Sequence, residues 1–439
     1  MIRTDRVPVP ADANGSARLI RTLTLTVFLQ WMGATAIVPM LPVYIRRLGG
    51  TDALAGVVMA SFFAAGVLFQ YPIGRITDRV GRRPVLVAGL AIYGTASLLF
   101  LAPIVPSAAI ALRALQGVGA GAAAVASLAM ISGSVAEERR GRAFASIFGG
   151  EIAGMAVGPL VGSLLGVHYM WAIFLGSGMI SFAACVPALR IAESGSIAEE
   201  RAEAATRRAD GTAAPLARIT FNRSMVGALV TGSALGLANG VYDICWTLLL
   251  VSRGASGWEI GLSWTLFAVP FVIAAKPSGW LADHMDRRWL VLAGIGLAAT
   301  LCASYPFVHS VPALIVMAGF EALGFAAALP AGQSMLTQGS EPAQVGRVQG
   351  LFATCQTAST AVAAAAAGAA FALATWLPFV TAASTVVLSL AVAGVIWRSV
   401  PGKVQPAEQA GAAAHAATNR PSLVQSPIPE PVGVSWDVQ

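Results

Sequence analysis

The amino-acid sequence predicts an all-α membrane protein in which twelve transmembrane helices form two pseudo-symmetric six-helix bundles. Of the 439 residues, 56% are hydrophobic and 11% are charged, whereas about 25% of the residues of a soluble domain are charged. Apolar runs also recur at lengths near the roughly 20 residues that cross the hydrocarbon core of a bilayer. The second half of the chain, in addition, repeats features of the first half at a constant spacing.

Short polar breaks divide the apolar runs into the predicted spans. The first six lie near residues 21–45, 53–74, 84–104, 107–132, 144–165 and 169–190. The second six lie near residues 222–251, 258–278, 289–308, 311–335, 349–372 and 375–397. The predicted domains are an N-terminal tail (1–20), a first bundle (21–190), a central loop (191–218), a second bundle (219–398) and a disordered tail (399–439). The central loop is polar and rich in small residues, a composition that does not pack a core.

A shift of 205 residues places the first six spans on the second six without a gap. Gly56 then corresponds to Gly261, and Asp78 corresponds to Asp283. Glycines alone might coincide in so apolar a chain, but an aspartate and several arginines keep the same register. The repeat therefore indicates two homologous halves.

Basic residues lie mainly on one side of the predicted membrane topology. The side with both termini and the central loop holds most of the 28 Lys and Arg residues, and the opposite side holds Arg46, Arg47 and Arg253. Because cytoplasmic loops carry the excess of basic residues, we expect both termini to be cytoplasmic. Most of the net charge of +7 is then a topology signal. We therefore expect the basic residues to lie against a lipid bilayer and not to bind nucleic acid.

The densest charge lies in the short loop between spans 2 and 3, where residues 72–84 read PIGRITDRVGRRP. Arginines here can anchor helices at anionic headgroups. That reading explains neither Asp78 nor the two glycines, which permit close helix approach and a tight reversal. The second copy, PSGWLADHMDRR at 277–288, has Asp286 in the position of Gly81, so its turn is expected to differ.

This loop resembles the loop 2–3 motif of the major facilitator superfamily, and the resemblance extends over about residues 20–398. The motif residues are Gly74, Asp78, Arg79, Gly81, Arg82 and Arg83. The resemblance implies that Asp78 pairs with the loop arginines and faces the start of span 11, near Gly350. The positive end of that helix would attract the carboxylate. A contact of this kind, made in one state and broken in the other, biases alternating access.

Two further stretches resemble motifs of the drug:proton antiporters in this family. Span 4 contains Arg113-x-x-Gln116, and an arginine inside a span usually faces a cavity or binds backbone carbonyls. Span 5 carries an antiporter motif that the family associates with export: Gly154, Gly158, Pro159 and Gly162. Pro159 kinks the helix, while the glycines let a neighbouring helix pack against the bend.

Proton exchange requires a titratable group within the bilayer, and three acids qualify. Asp243 in span 7 is the first candidate, Glu151 in span 5 the second and Glu321 in span 10 the third; Arg113 would make their protonation depend on conformation. At α-helical spacing Asp243 shares one face with Asn239, Tyr242 and Trp246. A structural contact between helices is the alternative for each acid. Further candidates for the substrate cavity are Gln30, Trp31, Gln116 and Gln356.

The histidines form no ligand cluster, and the sequence has no Walker loop or nucleophile constellation. We therefore expect no enzyme activity, no metal and no cofactor. The predicted function is export of small molecules, such as drugs or other amphipathic compounds, by proton antiport in a bacterial inner membrane. A monomer is expected to suffice. The alternatives are a dedicated exporter of one metabolite, such as a siderophore, and a proton-coupled uptake symporter.

Overall fold

A computed structural model describes residues 13–102, 105–134, 137–191, 220–339 and 345–402. All regular secondary structure within these ranges is helical. The first six spans comprise Ala13–Ile37 with Leu41–Arg47, then Asp52–Val80, Arg82–Leu99, Ala108–Ser134, Glu137–Leu165 and Met170–Leu189. The next six comprise Arg223–Val241 with Thr247–Ser252, then Gly257–His284, Arg287–Ser304, Val311–Thr337, Val345–Leu373 and Leu377–Trp397.

Within the described residues, nine helical stretches are long and apolar enough to cross a membrane. The apolar part of span 5, Gly149–Leu165, is shorter than these. Most of the predicted central loop and of the predicted C-terminal tail, and the start of the N-terminal tail, lie outside the described residues. Their predicted boundaries therefore stay predictions.

The two bundles use the same set of helix contacts. In the first bundle, span 1 packs on spans 5 and 6, span 4 packs on spans 2 and 3, and span 3 packs on span 6. In the second bundle, span 7 packs on spans 11 and 12, span 10 packs on spans 8 and 9, and span 9 packs on span 12. Span 2 meets span 11 and span 5 meets span 8 across the bundles. Every one of these contacts has its counterpart 205 residues away, so the sequence repeat is also a repeat of packing.

The loops after spans 2 and 8 reverse the chain in different ways. Gly81 has φ 119° and ψ 158°, a conformation that glycine adopts without steric cost. In the second loop, the Asp286 side chain accepts a hydrogen bond from the backbone N–H of Arg288 at 2.9 Å and so caps span 9. The difference in turn geometry that the sequence predicted is present, and an ordinary helix cap replaces the positive-φ glycine.

Glycines of span 5 bring its backbone against span 1. A methyl group at Gly154 would lie 2.6 Å from the carbonyl oxygen of Phe28, and one at Gly162 would lie 1.9 Å from that of Ala36. In the second bundle the glycines belong to span 7, since a methyl group at Gly240 would lie 2.4 Å from the Thr360 carbonyl oxygen of span 11. The same helix pair is thus closely packed in both bundles, with the small residues on opposite partners.

Candidate functional site

The candidate site lies between the bundles, which meet closely at the end where spans 2 and 8 begin. There, a methyl group at Gly56 would lie 2.5 Å from the Ala364 carbonyl oxygen, and one at Gly261 would lie 2.5 Å from the Ser163 Cβ. At the other end of span 2, residues 68–72 are consecutively exposed. Five successive exposed residues cover the whole circumference of a helix. No described protein element therefore covers span 2 at that level.

Arg113 lies deep in the first bundle, with 2% of its surface exposed. Its Nη1 donates a hydrogen bond to Oε1 of Gln116 at 2.8 Å, and its guanidinium carbon lies 4.5 Å from the ring centroid of Phe62. The buried Nε has no hydrogen-bond partner among the described residues. A guanidinium placed over an aromatic face and held on one side keeps its charge without a carboxylate directly bonded to it.

Gln116 is fully buried rather than open to the space between the bundles. Besides accepting from Arg113, its Nε2 donates to the Ser97 hydroxyl of span 3 at 2.8 Å. Both ends of the amide are therefore used inside the first bundle. This environment favours a structural role for Gln116, as a residue that orients Arg113.

Asp243 lies in the second bundle and interacts electrostatically with Arg113 of the first. The carboxyl is partly buried and has no hydrogen-bond partner among the described residues. An ionised carboxylate in such surroundings is costly unless a cation compensates it. Asp243 is thus an acid of the second bundle whose charge acts on a cation of the first bundle, Arg113.

Span 7 does not continue as a regular α-helix through Asp243. Residues Tyr242–Trp246 form a π-helical turn, which adds one residue to a turn and is frequent at functional sites. Asn239, before this turn, is exposed, whereas Trp246, after it, is 5% exposed. The common face predicted from α-helical spacing is therefore not kept beyond Tyr242, because the π turn changes the phase of the residues that follow.

The aromatic residues on both sides of Asp243 are anchored to other spans. The Tyr242 hydroxyl donates a hydrogen bond to Oε1 of Glu321 in span 10 at 2.5 Å. Trp246 Nε1 donates to the Ser263 hydroxyl in span 8 at 2.9 Å. Two of the three aromatic residues predicted for the cavity, Tyr242 and Trp246, thus use their polar atoms inside the second bundle.

Glu321, the third predicted coupling acid, is 1% exposed. In addition to Tyr242, it accepts a hydrogen bond from the Tyr305 hydroxyl at the end of span 9. Both carboxyl oxygens therefore have a donor. The arrangement corresponds to a contact between helices and has no direct opening to the space between the bundles in the described residues.

The remaining predicted cavity residues are dispersed. Glu151 and its repeat counterpart Gln356 are both partly buried, Gln30 is 6% exposed, and Trp31 is partly buried in span 1. Neither the Glu151 carboxyl nor the Gln356 amide has a hydrogen-bond partner among the described residues. Both stay candidates for contact with a ligand.

The loop motif lies at the exposed end of span 2. A methyl group at Gly74 or at Gly350 would meet nothing within 4 Å, so the close contact expected between the motif and span 11 is not made at these positions. Arg79 is exposed and Arg82 and Arg83 are partly exposed. The side chain of Asp78 lies outside the described part of the structure.

The sequence did not reveal Tyr305, Ser263 or Phe62 as partners of the candidate residues. Phe62 precedes Arg113 by 51 positions and Tyr305 follows Tyr242 by 63, so only the tertiary fold brings them together. Spacing within one helix carries no signal for such pairs.

Taken together, two packed bundles of long apolar helices define a multi-pass membrane protein. A model of the Major Facilitator Superfamily matches residues 23–252 and 225–432. The chain belongs to this superfamily. It is therefore a transporter and not an enzyme, and the predicted twelve-helix fold is confirmed.

Two relatives and one structure illustrate the similarity. The inner membrane transport protein YajR of Escherichia coli is 36% identical over 163 residues, which cover 35% of this chain and 36% of YajR, about a third of that protein. The class E tetracycline resistance protein of Escherichia coli is 28% identical over 303 residues, 63% of this chain and 69% of that protein. The crystal structure of a bacterial homologue of the lysosomal transporter Spinster, inward-facing and unoccupied, has a TM-score of 0.67 at 13% identity. The matched region covers 88% of this chain and 96% of the chain of the Spinster homologue.

Proposed function

We propose that this transporter exports small amphipathic molecules, drugs among them, across a bacterial inner membrane in exchange for protons. The observation that carries the proposal is Asp243 itself: a partly buried acid in the π turn of span 7, without a hydrogen-bond partner among the described residues and with Arg113 of the other bundle as its electrostatic partner. A titratable group there can link proton binding to the relative position of the bundles. The similarity to a tetracycline resistance protein supports export of a drug-like substrate.

Asp243 is proposed to bind the exchanged proton. As a carboxylate it attracts Arg113 and holds the two bundles together at the level of the site; as a neutral acid it loses that attraction. A proton that arrives from outside would neutralise Asp243 and release the substrate outward. Proton loss to the cytoplasm would restore the carboxylate and the form that binds substrate.

The membrane orientation predicted from the arginines assigns the described conformation to one step of the transport cycle. The end at which Gly56 and Gly261 interlock the bundles would face outward, and the exposed end of span 2 would face the cytoplasm. The protein would then be closed to the outside. Asp243 would exchange its proton with the cytoplasm in this form.

Inverted membrane vesicles with an imposed proton gradient test the proposal. We would add lipophilic cations, neutral antibiotics and metal-chelating metabolites, and record substrate-triggered proton release. The wild type is compared with Asp243→Asn and with Glu259→Gln, a matched change of carboxyl to amide at the outer start of span 8. Release by several compounds that Asp243→Asn abolishes and Glu259→Gln preserves is the expected result.

Other outcomes distinguish the alternatives. A response to a single metabolite would identify a dedicated exporter of that compound. Accumulation of substrate inside intact cells, driven by the proton gradient, would identify an uptake symporter. Release that persists in Asp243→Asn would move the coupling role to Glu151.

A further inference from the structure

We propose that Glu321 is a positioning residue: through Tyr242 it fixes the π turn of span 7 in which Asp243 lies. This inference rests on the proposed role of Asp243. It assigns Glu321 a task different from carrying the exchanged proton.

The first argument is the hydrogen bonding of the Glu321 carboxyl. Oε1 accepts from Tyr242 at 2.5 Å and Oε2 accepts from Tyr305, so each oxygen has one hydroxyl donor. Two hydroxyl donors from two different helices therefore fix the position of this buried carboxyl group. Both oxygens are thus already held by donors from the protein, in contrast to those of Asp243.

The second argument is the space around Glu321. A void of about 10 Å³ borders Tyr242, Cys302 and Glu321, which is about the volume that one water molecule needs. The rest of its lining is apolar. With 1% of its surface exposed, the Glu321 side chain therefore lies in the interior of the second bundle, beside a space too small for a drug-sized molecule.

The third argument is the position of the π turn between two anchors. The turn begins at Tyr242, which Glu321 holds, and ends at Trp246, which Ser263 holds. The rings of Trp246 and Tyr305 also pack edge to face with centroids 5.0 Å apart. Asp243 lies between the anchors without a hydrogen bond of its own in the described residues. Its direction is therefore set by its neighbours in the chain.

A release of the Tyr242 anchor would let the turn relax toward a regular α-helix and change the direction of the Asp243 carboxyl relative to Arg113. Among the described titratable groups, Arg113 is the charged group that interacts with Asp243. A carboxylate that loses a nearby cation becomes less stable relative to its protonated form. The pH at which Asp243 is half protonated should then rise.

The test measures carbodiimide labelling of Asp243 against pH by mass spectrometry of the full-length protein in membranes. Carbodiimides react with protonated carboxyls, so the midpoint needs no substrate. We expect Tyr242→Phe and Glu321→Leu to raise the midpoint by about one pH unit, the size of a typical effect of a nearby charge. Glu321→Gln should keep the wild-type midpoint, because its amide can accept a hydrogen bond from Tyr242 and donate one to Tyr305.

Tyr305→Phe is the matched control. It removes one hydrogen bond from the same carboxyl, at a similar cost in stability, but leaves the Tyr242 anchor in place. Its labelling midpoint should stay at the wild-type value. An equal rise in Tyr305→Phe and Tyr242→Phe would overturn the inference, because it would indicate a loss of stability alone.

Proton release from inverted vesicles separates this inference from the proposed function. If Glu321→Gln abolishes substrate-triggered release while the labelling midpoint of Asp243 is unchanged, Glu321 itself carries a proton and the positioning role is rejected. If the wild type releases no protons with any compound, the proposed function fails. The labelling midpoints then still decide whether Glu321 positions Asp243.

Discussion

Gly368 of span 11 lies against the backbone of Asp52 at the start of span 2, so closely that a methyl group on Gly368 would lie 1.8 Å from the Asp52 carbonyl oxygen. Arg46 binds the Asp52 side chain through two guanidinium nitrogens. The position related to Gly368 by the repeat is Ser163, which packs on Gly261 across the second interface. The bundles are thus interlocked at one end by small residues on both sides.

The first prediction concerns Gly368→Val. The larger side chain cannot fit against backbone atoms, so the bundles should separate at this end and the form open there should become more populated. Overpacking of this kind costs about 1–3 kcal/mol, which changes a two-state equilibrium by about 5- to 150-fold. Distances between spin labels on spans 2 and 11 would measure the change.

Gly319→Val is the control for this experiment, because a methyl group at Gly319 would meet nothing within 4 Å. It should leave the label distances as in the wild type. Unchanged distances in Gly368→Val would show that the contact does not limit opening.

The second prediction concerns the packing of span 5 on span 1. Gly162→Ala should lower the free energy of unfolding by about 1–3 kcal/mol, the range for overpacking in a closely packed interior, because its Cβ would lie 1.9 Å from the Ala36 carbonyl oxygen. Gly149→Ala, in the same helix, has nothing within 4 Å of its Cβ and should be neutral or stabilising. Thermal unfolding in detergent would compare the two, and equal melting temperatures would contradict the packing argument.

Much of the fold follows from hydropathy and from the repeat. Apolar runs place the spans, and the shift of 205 residues predicts which contacts recur, because homologous helices pack alike. The glycines of span 7, spaced four residues apart at 232, 236 and 240, were a signal of the same kind. The glycines of the antiporter motif in span 5 have the same spacing and pack on span 1. The repeat relates these two spans to spans 11 and 7, so the packing of span 7 on span 11 could have been proposed.

The site was less predictable than the fold. Asp243 and Arg113 could be found because charged residues inside apolar spans are rare and usually functional. The π turn at Tyr242–Trp246 could not, since it depends on anchors in spans 8 and 10 that the local sequence does not contain. Glu321 was recognisable as a buried acid, but its two hydroxyl partners come from different helices.

The third prediction is energetic coupling between Asp243 and Arg113. Each single variant, Asp243→Asn and Arg113→Gln, should lower the free energy of unfolding. The double variant should lower it by less than the sum of the two single effects, because neither charge is then left without the other. Independent sites add within about 0.5 kcal/mol, so a larger deviation from additivity would show the coupling. Denaturation of the four proteins measures the cycle, and additive effects would remove the electrostatic basis of the proposed mechanism.

The fourth prediction concerns the loop motif. Asp78→Asn should slow transport while leaving membrane insertion intact, because an amide is attracted less strongly by the loop arginines and by the positive end of span 11. The contact should form when the bundles close at the exposed end of span 2, where Gly74 and Gly350 now lie free of other atoms. Transport rates at equal amounts of inserted protein would measure the effect.

The matched control is Asp283→Asn, the same change in the second copy of the motif. In that loop Arg288 already binds Asp286 and donates hydrogen bonds to the carbonyl oxygens of Trp397 and Val400 at the end of span 12. The second loop is therefore fastened within its own bundle and is not expected to move against the other. Transport by Asp283→Asn should stay near the wild-type rate, and an equal loss in both variants would mean that the first loop has no special role in closure.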